Sequence, residues 1–503
     1  MHSPHISKSY ALHGSQASHQ IEQAAASALP PHSLMQRAGL ASAKLTLALA
    51  PHARQIWIAC GPGNNGGDGF EAALHLHQWG KNVAVSWTGP APKRSLPADA
   101  QASYDKAIAA GVQISHAPPQ SFDFCVDALL GLGGRIDSSS SLSILMREWL
   151  LRMRAGTAPL LSLDLPSGLN GDNGVMNPFF KTKQPTKNQN NIFCLSLLTL
   201  KPGLYTGDGR DAAGQIWFDD LDCLNSNPCD SPSAWLLGAD RATTSRDNTV
   251  HAQHKGSFGD VAIVGGESND KSHMSGAALL AARAALHGGA GRVYVALLAN
   301  STQGIQLDPL QPELMFRSPA KLDIAQQTVV CGCGGGQAVK AHLPRLLSHA
   351  ARLILDADAL NAIATDTALQ TLLKERALNT TVLTPHPLEA ARLIGCSTAE
   401  IQADRLKSAQ TLADRFSCVV VLKGSGSVIA APGQTPHINA SGNARLATAG
   451  TGDVLAGLVG ARLANGLPAF EAACSAVFAH GLAADQWSGN SALTASGLFK
   501  VLT

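Results

Sequence analysis

Two successions of short apolar, β-rich runs, alternating with helical stretches, limit what this chain can fold into. In the first half the runs are QIWIAC (55–60), NVAVSW (82–87), FDFCVDALL (122–130) and LLSLDL (160–165). GFEAALHLHQWG and ADAQASYDKAIAAG read as helices between them. In the second half the runs are DVAIVGG (260–266), RVYVALL (292–298), TVVCGC (328–333), RLILDAD (352–358), TTVLTPH (380–386) and CVVVLKG (418–424). There SGAALLAARAALHGG and the segment after Asp453 are the clearest helices. Alternation of this kind predicts parallel sheets with helices on both faces, an α/β chain. At 503 residues one core cannot serve the whole length, so more than one domain is expected. Residues 224–250 mix turn formers with few periodic apolar positions, which predicts a linker over 226–250 between domains 1–225 and 251–503. The polar stretch 177–191 reads as a surface loop.

Charge and composition narrow the function classes. Lys plus Arg is 38 against Asp plus Glu 36, a net charge of +2. That balance carries no electrostatic footprint for nucleic acid and no polybasic membrane patch. The first twenty residues lack the apolar core of a signal peptide, and no run reaches the roughly 18 apolar residues of a membrane helix. Ten cysteines without CxxC or paired zinc spacing point to a reduced, cytoplasmic protein. The GxxxxGK[ST] phosphate loop is absent.

The glycine turns carry the chemistry. In an open parallel sheet the carboxyl ends of the strands face one crevice, where ligands bind. CGPGNNGGDG (60–69) holds Gly61-x-Gly63-x-x-Gly66 after a strand and before a helix, a setting whose N–H groups attract anions. The next strand ends in SWTGPAP with no acid for a ribose hydroxyl, so a hydride-transfer dinucleotide site is not expected. Asn64, Asn65 and Asp68 add oxygens that also suit a weakly held cation. DALLGLGGRID (127–137) and LDLPSGLNGDNG (163–174) put Asp127, Asp164 and Ser167 at later strand ends, where they can converge with Asn65. Taken singly, each acid has a bland alternative as the cap of a turn or helix.

The second half repeats the logic. KGSGS (423–427) offers backbone donors and the Lys423 cation to a phosphate, and AGTGD (449–453) opens a second anion pocket with Asp453 at a helix start. A carboxylate beside phosphate is a competent base only if a cation or a substrate hydroxyl intervenes. Asp453 therefore reads as facing a substrate hydroxyl near a nucleotide phosphate, with a helix N-cap as its alternative. His386 stands between two prolines in TPHPLE, a rigid exposed turn.

Together these motifs resemble those of the bifunctional NAD(P)H-hydrate repair enzymes, which join an epimerase domain to an ADP-dependent dehydratase domain. LMQRAG (34–39), GPGNNGGDG, DALLGLG and DLPSG resemble the epimerase signature. HKGSFGDVAIVGG (254–266), SGAALLAARAALHGGAGRV (275–293), LDADALNAIA (355–364), LTPHPLEAARL (383–393), VVLKGSG (420–426) and NARLATAGTGDVLAGL (443–458) resemble the dehydratase signature. The resemblance implies a Rossmann-like three-layer first domain and a ribokinase-like second domain. It implies that Asn64, Asn65, Gly66, Gly67 and Asp68, the loop Gly131, Leu132, Gly133, Gly134, Arg135, Ile136 and Asp137, and Asp164 hold the hydrated dinucleotide. Asn65, Asp127 and Ser167 would ligate a potassium ion. Ala277, Gly334, His386 and Asp453 would contact the hydrated nicotinamide, while Lys423, Gly424, Ser425, Gly426, Ser427 and Gly452 hold the adenine nucleotide. Asp164 and Asp453 are the implied catalytic acids, ADP the co-substrate and magnesium the ion screening its phosphates. The implied partners are the small molecules NADHX, NADPHX and ADP, without nucleic acid or membrane, in a homo-oligomer. In GCGGG a cysteine, Cys333, stands where the family often has proline. The alternative is a ribokinase-like vitamin kinase fused to a non-catalytic scaffold, which accounts for the second half and leaves the acids of the first unexplained.

Overall fold

The computed structural model describes residues 1–91, 95–134, 136–181, 191–223, 231–242, 251–269, 272–299, 306–489 and 491–502. The chain divides into two compact units, Met1–His5 with Tyr10–Ala234 and Ile6–Ser9 with Trp235–Thr503. Both are α/β.

The first unit is built on seven parallel strands: β1 Gln55–Cys60, β2 Asn82–Trp87, β3 Gln113–Ser115, β4 Phe124–Ala128, β5 Leu160–Leu163, β6 Ile192–Leu197 and β7 Gln215–Asp219. Their order is β3-β2-β1-β4-β5-β6-β7. The chain thus runs outward from β1 on one side, then returns to its other side with β4. That reversal opens a crevice between the carboxyl ends of β1 and β4. The strands are legible because they are buried on both faces: five of the six β1 residues and all five of β4 are buried. Ile56, Ile58 and Cys60 share one core with Phe70, Phe124 and Val126.

The helix after β1 corrects the sequence reading. It begins at Asn64, so Gly66, Gly67 and Gly69 lie inside Asn64–Gln78 rather than in a preceding loop. Glycine is a poor helix former, and the reason for it is packing. A Cβ on Gly67 would meet Met35 Cε at 2.6 Å, and one on Gly69 would meet Cys60 Sγ at 2.7 Å. LMQRAG has the same explanation: it belongs to the helix Ser33–Leu49, whose Gly39 lies against Glu71. Of the stretch read as a surface loop, 182–190 lie outside the described residues, while Phe180 is buried in the unit.

The second unit's sheet contains β8 Ala234–Leu237, β9 Asp260–Asn269, β10 Arg292–Ala299, β11 Met315–Phe316, β12 Thr328–Cys331, β13 Arg352–Leu355, β14 Thr381–Leu383, β15 Val419–Leu422, β16 Val428–Ala430 and β17 His437–Asn439. The order is β8-β17-β16-β15-β14-β13-β12-β9-β10-β11. Strands β9 to β15 pair in parallel, with β16 antiparallel to both β15 and β17. Successive side chains point to opposite faces, so Val261 and Ile263 enter one core while Ala262 and Val264 enter the other. The result is a three-layer unit with β9 and β12 flanking its own reversal point. The linker reading of 226–250 is corrected here. Ala234–Leu237 is a strand paired with β17, and Ala239–Ala242 is a helical turn of the same unit. Residues 226–230 and 243–250 lie outside the described residues.

The helix Thr451–Ala464 is apolar because it is enclosed: eleven of its residues are buried. Gly457 sits directly on the backbone of Ala281 in the helix Ser275–His287, and a Cβ on Gly460 would meet Val330 Cγ2 at 2.6 Å. Among the described residues, no helix is long and apolar enough to cross a membrane.

Candidate active sites

In the first unit the predicted residues gather at the β1–β4 crevice and at the adjoining ends of β5 and β6. Asp127, the penultimate residue of β4, is fully buried. It accepts hydrogen bonds from Ser167 Oγ at 2.6 Å and Ser167 N at 3.0 Å. Ser167 Oγ in turn accepts from Leu130 N at 2.9 Å. Burial pushes the Asp127 carboxyl up, and the bonds from Ser167 pull it back. Asn65 sits beside Gly131, where a Cβ would lie 3.5 Å from Asn65 Cβ. Its amide is buried with neither Oδ1 nor Nδ2 hydrogen-bonded. A buried, unpartnered amide oxygen next to the Asp127–Ser167 pair fits an oxygen-liganded monovalent cation.

Asp164 follows β5 with φ 64, an uncommon conformation for a non-glycine residue. Its carboxylate meets the ammonium of Lys201, a side chain only 1% exposed. Nothing in the sequence reading singled out Lys201. The available signal was its position in LSLLTLKPGLYTG, a cation in an otherwise apolar strand-end segment. Asp68, in the first turns of Asn64–Gln78, has its carboxyl pushed well above the ordinary range by burial, with the charge of Asp164 adding to it. Asp137 is exposed and its carboxylate is held locally by Ser139, at 2.6 Å from Oγ and 3.0 Å from N. Leu132 packs against Gly171, where a Cβ would meet its Cδ2 at 2.7 Å. Arg135 lies outside the described residues.

In the second unit the site follows the carboxyl ends of β12 to β15. Cys333, Asp356 and Asp453 bring their ligating atoms within 4.8 Å of one another. Asp356, which follows β13, was missed, although the strand-end rule applied in the first half also finds it in RLILDAD. Its Oδ1 accepts from Lys423 Nζ at 2.7 Å and Thr384 Oγ1 at 2.8 Å. Lys423 is therefore an ion-paired residue. Burial alone would lower its ammonium, but Asp356 and Glu389 outweigh this and hold it above the usual range.

Asp453 lies in the first turn of Thr451–Ala464 and is not the cap; Gly450 is, in a left-handed conformation and with no side-chain bond. Burial first, then the charge of Asp356, push the Asp453 carboxyl up to about 7, against the pull of Cys333 and Lys423. The capping role belongs instead to His386, whose Nδ1 accepts from Leu388 N at 3.1 Å at the start of Pro387–Ile394. Its Nε2 lies 3.2 Å from Glu389 Oε1, and burial together with Lys423 lowers its proton affinity. Ala277 and Gly334 are neighbours, since a Cβ on Gly334 would lie 2.9 Å from Ala277 Cβ. Gly452 stands 3.5 Å from Lys423 Nζ by the same measure, and Gly424 and Gly426 both have positive φ. Gly424 is packed on the guanidinium of Arg405, which donates to Leu422 O and Lys423 O at 3.2 Å each. That buried arginine, also unpredicted, fixes the strand end from which the KGSGS turn departs.

Known proteins resemble both units. Residues 31–203 match the family described as YjeF-related protein N-terminus, and residues 261–502 match NAD(P)H-hydrate dehydratase. The chain is 35% identical over 494 residues to the bifunctional NAD(P)H-hydrate repair enzyme Nnr of Escherichia coli (strain K12), covering 94% of this chain and 88% of that one. It is 33% identical over 488 residues to the enzyme of that name from Coxiella burnetii, covering 94% of each. Over 238 residues it is 42% identical to the ADP-dependent (S)-NAD(P)H-hydrate dehydratase of Neisseria meningitidis serogroup B, covering 46% of this chain and 78% of that one.

Proposed function

The chain belongs to the bifunctional NAD(P)H-hydrate repair enzymes, and from that membership we propose that its first unit interconverts the R and S hydrates of NADH and NADPH while its second dehydrates the S form with ADP. The observation that carries the reading is that one chain holds two separate strand-end sites, each with a carboxyl group among glycine turns. A kinase fused to an inert scaffold has no use for Asp68, Asp127 and Asp164 gathered at one end of the first sheet.

Hydration leaves a hydroxyl on the carbon next to the ring nitrogen. Such a carbinolamine inverts by opening and re-closing when one group accepts the hydroxyl proton and returns it. Asp164 takes that part, and Asn64 to Asp68 with the 131–137 loop cradle the dinucleotide. Potassium, held by Asn65, Asp127 and Ser167, would supply positive charge beside the phosphates.

Dehydration requires a better leaving group than hydroxide. Asp453 accepts the hydroxyl proton as the hydroxyl oxygen attacks the β-phosphoryl group of ADP, and AMP departs. The phosphorylated hydrate then loses phosphate from that carbon and a proton from its neighbour, which restores the ring double bond. A proton affinity near neutrality suits a general base at physiological pH. The N–H groups of Thr451 to Asp453 at the helix start face the transferring phosphoryl group, and the 423–427 turn holds the remaining phosphate. Asp356 is held by Lys423 and Thr384, and magnesium, when bound, would screen the charge of the nucleotide phosphates. Ala277, Gly334 and His386 bound the nicotinamide side.

We also place the protein in the cytoplasm, in keeping with sparse cysteines that lack CxxC or paired zinc spacing, and as a homo-oligomer, which light scattering tests directly. The deciding assay follows recovery of the reduced-nicotinamide absorbance from mixed hydrate epimers. Full recovery with ADP and none without it is expected. Recovery of one epimer alone would remove the epimerase assignment, and turnover of pyridoxal with ATP in place of hydrate would favour the kinase reading.

A further inference from the structure

We propose that Lys201 is a positioning residue for epimerisation: its buried ammonium anchors one oxygen of Asp164, leaving Oδ2 as the atom that exchanges a proton with the substrate. The inference rests on the reading that the first unit interconverts the hydrates.

Three observations converge on it. The first is asymmetry. Among the described residues, Asp164 Oδ1 accepts from both Lys201 Nζ and Leu197 N, the latter at 3.3 Å, while Oδ2 accepts from neither. The Asp164 side chain is 16% exposed, so the carboxylate is not sealed from the crevice. The second is rigidity. The Asp164 N–H donates to Leu195 O at 2.7 Å, and its φ of 64 is held by the surrounding strands rather than by local preference. Lys201 is braced by Leu197 O at 2.8 Å and Ser196 Oγ at 3.4 Å, and that hydroxyl is itself committed to Thr199 O at 2.8 Å. The third is context. Among the described residues, the charged and titratable groups facing Asp164 are Lys201, Asp68 and, at its backbone carbonyl, the thiol of Cys194. Lys201 is the only cation of the three. A lysine placed for stability alone would pair equally well with either oxygen. Here it turns the carboxylate so that one specified oxygen remains available.

The test compares Lys201→Met and Lys201→Arg in the full chain, with dehydration of purified S epimer as an internal control. For Lys201→Met, kcat for epimerisation should fall at least about 30-fold with KM changed less than about threefold, because a freed carboxylate still binds but is misaligned. Lys201→Arg keeps the charge and should lose less. Dehydration of the S epimer should proceed at the wild-type rate in both. The proposal is overturned if Lys201→Met epimerises at the wild-type kcat, or if both variants lose kcat equally and raise KM by the same factor. If Lys201→Met loses the folded signature of the first unit, Lys201→Gln, which keeps a donor for Leu197 O, takes its place under the same criteria. A wild-type chain that leaves the R epimer untouched sinks the underlying reading instead, a result distinct from either outcome above.

Discussion

Asp453→Asn should abolish ADP-dependent recovery and at the same time stabilise the second unit. The sign follows from the direction of the shift. The folded protein holds the Asp453 proton up to about 7, whereas the same carboxyl in the unfolded chain releases it near 3.8. The folded state therefore binds the proton more tightly, and stability that is fully present below the unfolded value is lost as pH rises toward 7. Three pH units at about 1.4 kcal/mol each set an upper size of about 4 kcal/mol for the whole loss. Between pH 6 and pH 8 the native carboxyl passes through its midpoint while the unfolded one is ionised throughout, which accounts for about 1.4 kcal/mol of it. Asparagine has no such titration and keeps an acceptor for the Cys333 thiol. The assay is thermal unfolding of both proteins at the two pH values, read in the transition that ADP raises. The variant's advantage should be larger at pH 8 than at pH 6 by about 4 °C for a unit of this size. Histidines that titrate in the same window are common to both proteins and cancel in the difference. An equal advantage at both pH values, or a less stable variant at pH 8, would refute the reasoning.

Three further outcomes are expected. The dehydratase rate should climb through a midpoint near 7, and Cys333→Ala should move that midpoint upward, by up to about one unit, because the thiol is one of the groups pulling the Asp453 carboxyl down; an unchanged or lowered midpoint counts against the contact. Asn65→Ala should remove the stabilisation of the first unit by potassium over sodium while costing less than about 1 kcal/mol without potassium, since the amide has no partner to lose; a retained potassium effect in thermal unfolding excludes Asn65 as a ligand. Gly457→Ala should destabilise the second unit by about 1–3 kcal/mol in urea unfolding, because a methyl group there drives two helices apart at Ala281; wild-type stability would show that the helices can yield.

What was legible depended on burial. The strands β1, β9 and β15 stand out because they are apolar runs buried along most or all of their length. Pieces of two to four residues such as β3, β8, β11 and β16, with no longer apolar run around them, carry too few positions for a period to show, which is how a strand came to lie inside the expected linker. The helix start at Asn64 was hidden by glycines whose purpose is to admit Met35 and Cys60, a tertiary demand that overrides propensity. The acids were found one by one, but their partners were not. Lys201 and Arg405 look like solvated charges until the fold buries them, and the pairing of Lys423 with Asp356, 67 residues away, has no signal in the sequence.

That last point separates the two sites. Each unit has a carboxyl in its crevice and a lysine near it, fully buried in the first and partly in the second, yet the lysines are assigned differently. In the first unit Lys201 binds Asp164 directly, so the carboxylate is oriented and paired before substrate arrives. In the second, Lys423 pairs with Asp356 and pulls on Asp453 only as a neighbouring charge, while a second carboxylate and a thiol lie within 4.8 Å of Asp453. The consequence is a proton affinity lifted to near neutrality, which is what a base must have if it is to take a hydroxyl proton at pH 7 and not merely bind a cation. Moving the charge should move the chemistry. With Asp356→Asn, Lys423 is released from its partner and the repulsion on Asp453 disappears, so the rate midpoint should fall below 7 while maximal turnover drops, a weaker base working over a wider pH range. A midpoint that stays near 7 in that variant would mean burial alone sets the Asp453 proton, and that the lysine assignment is incidental.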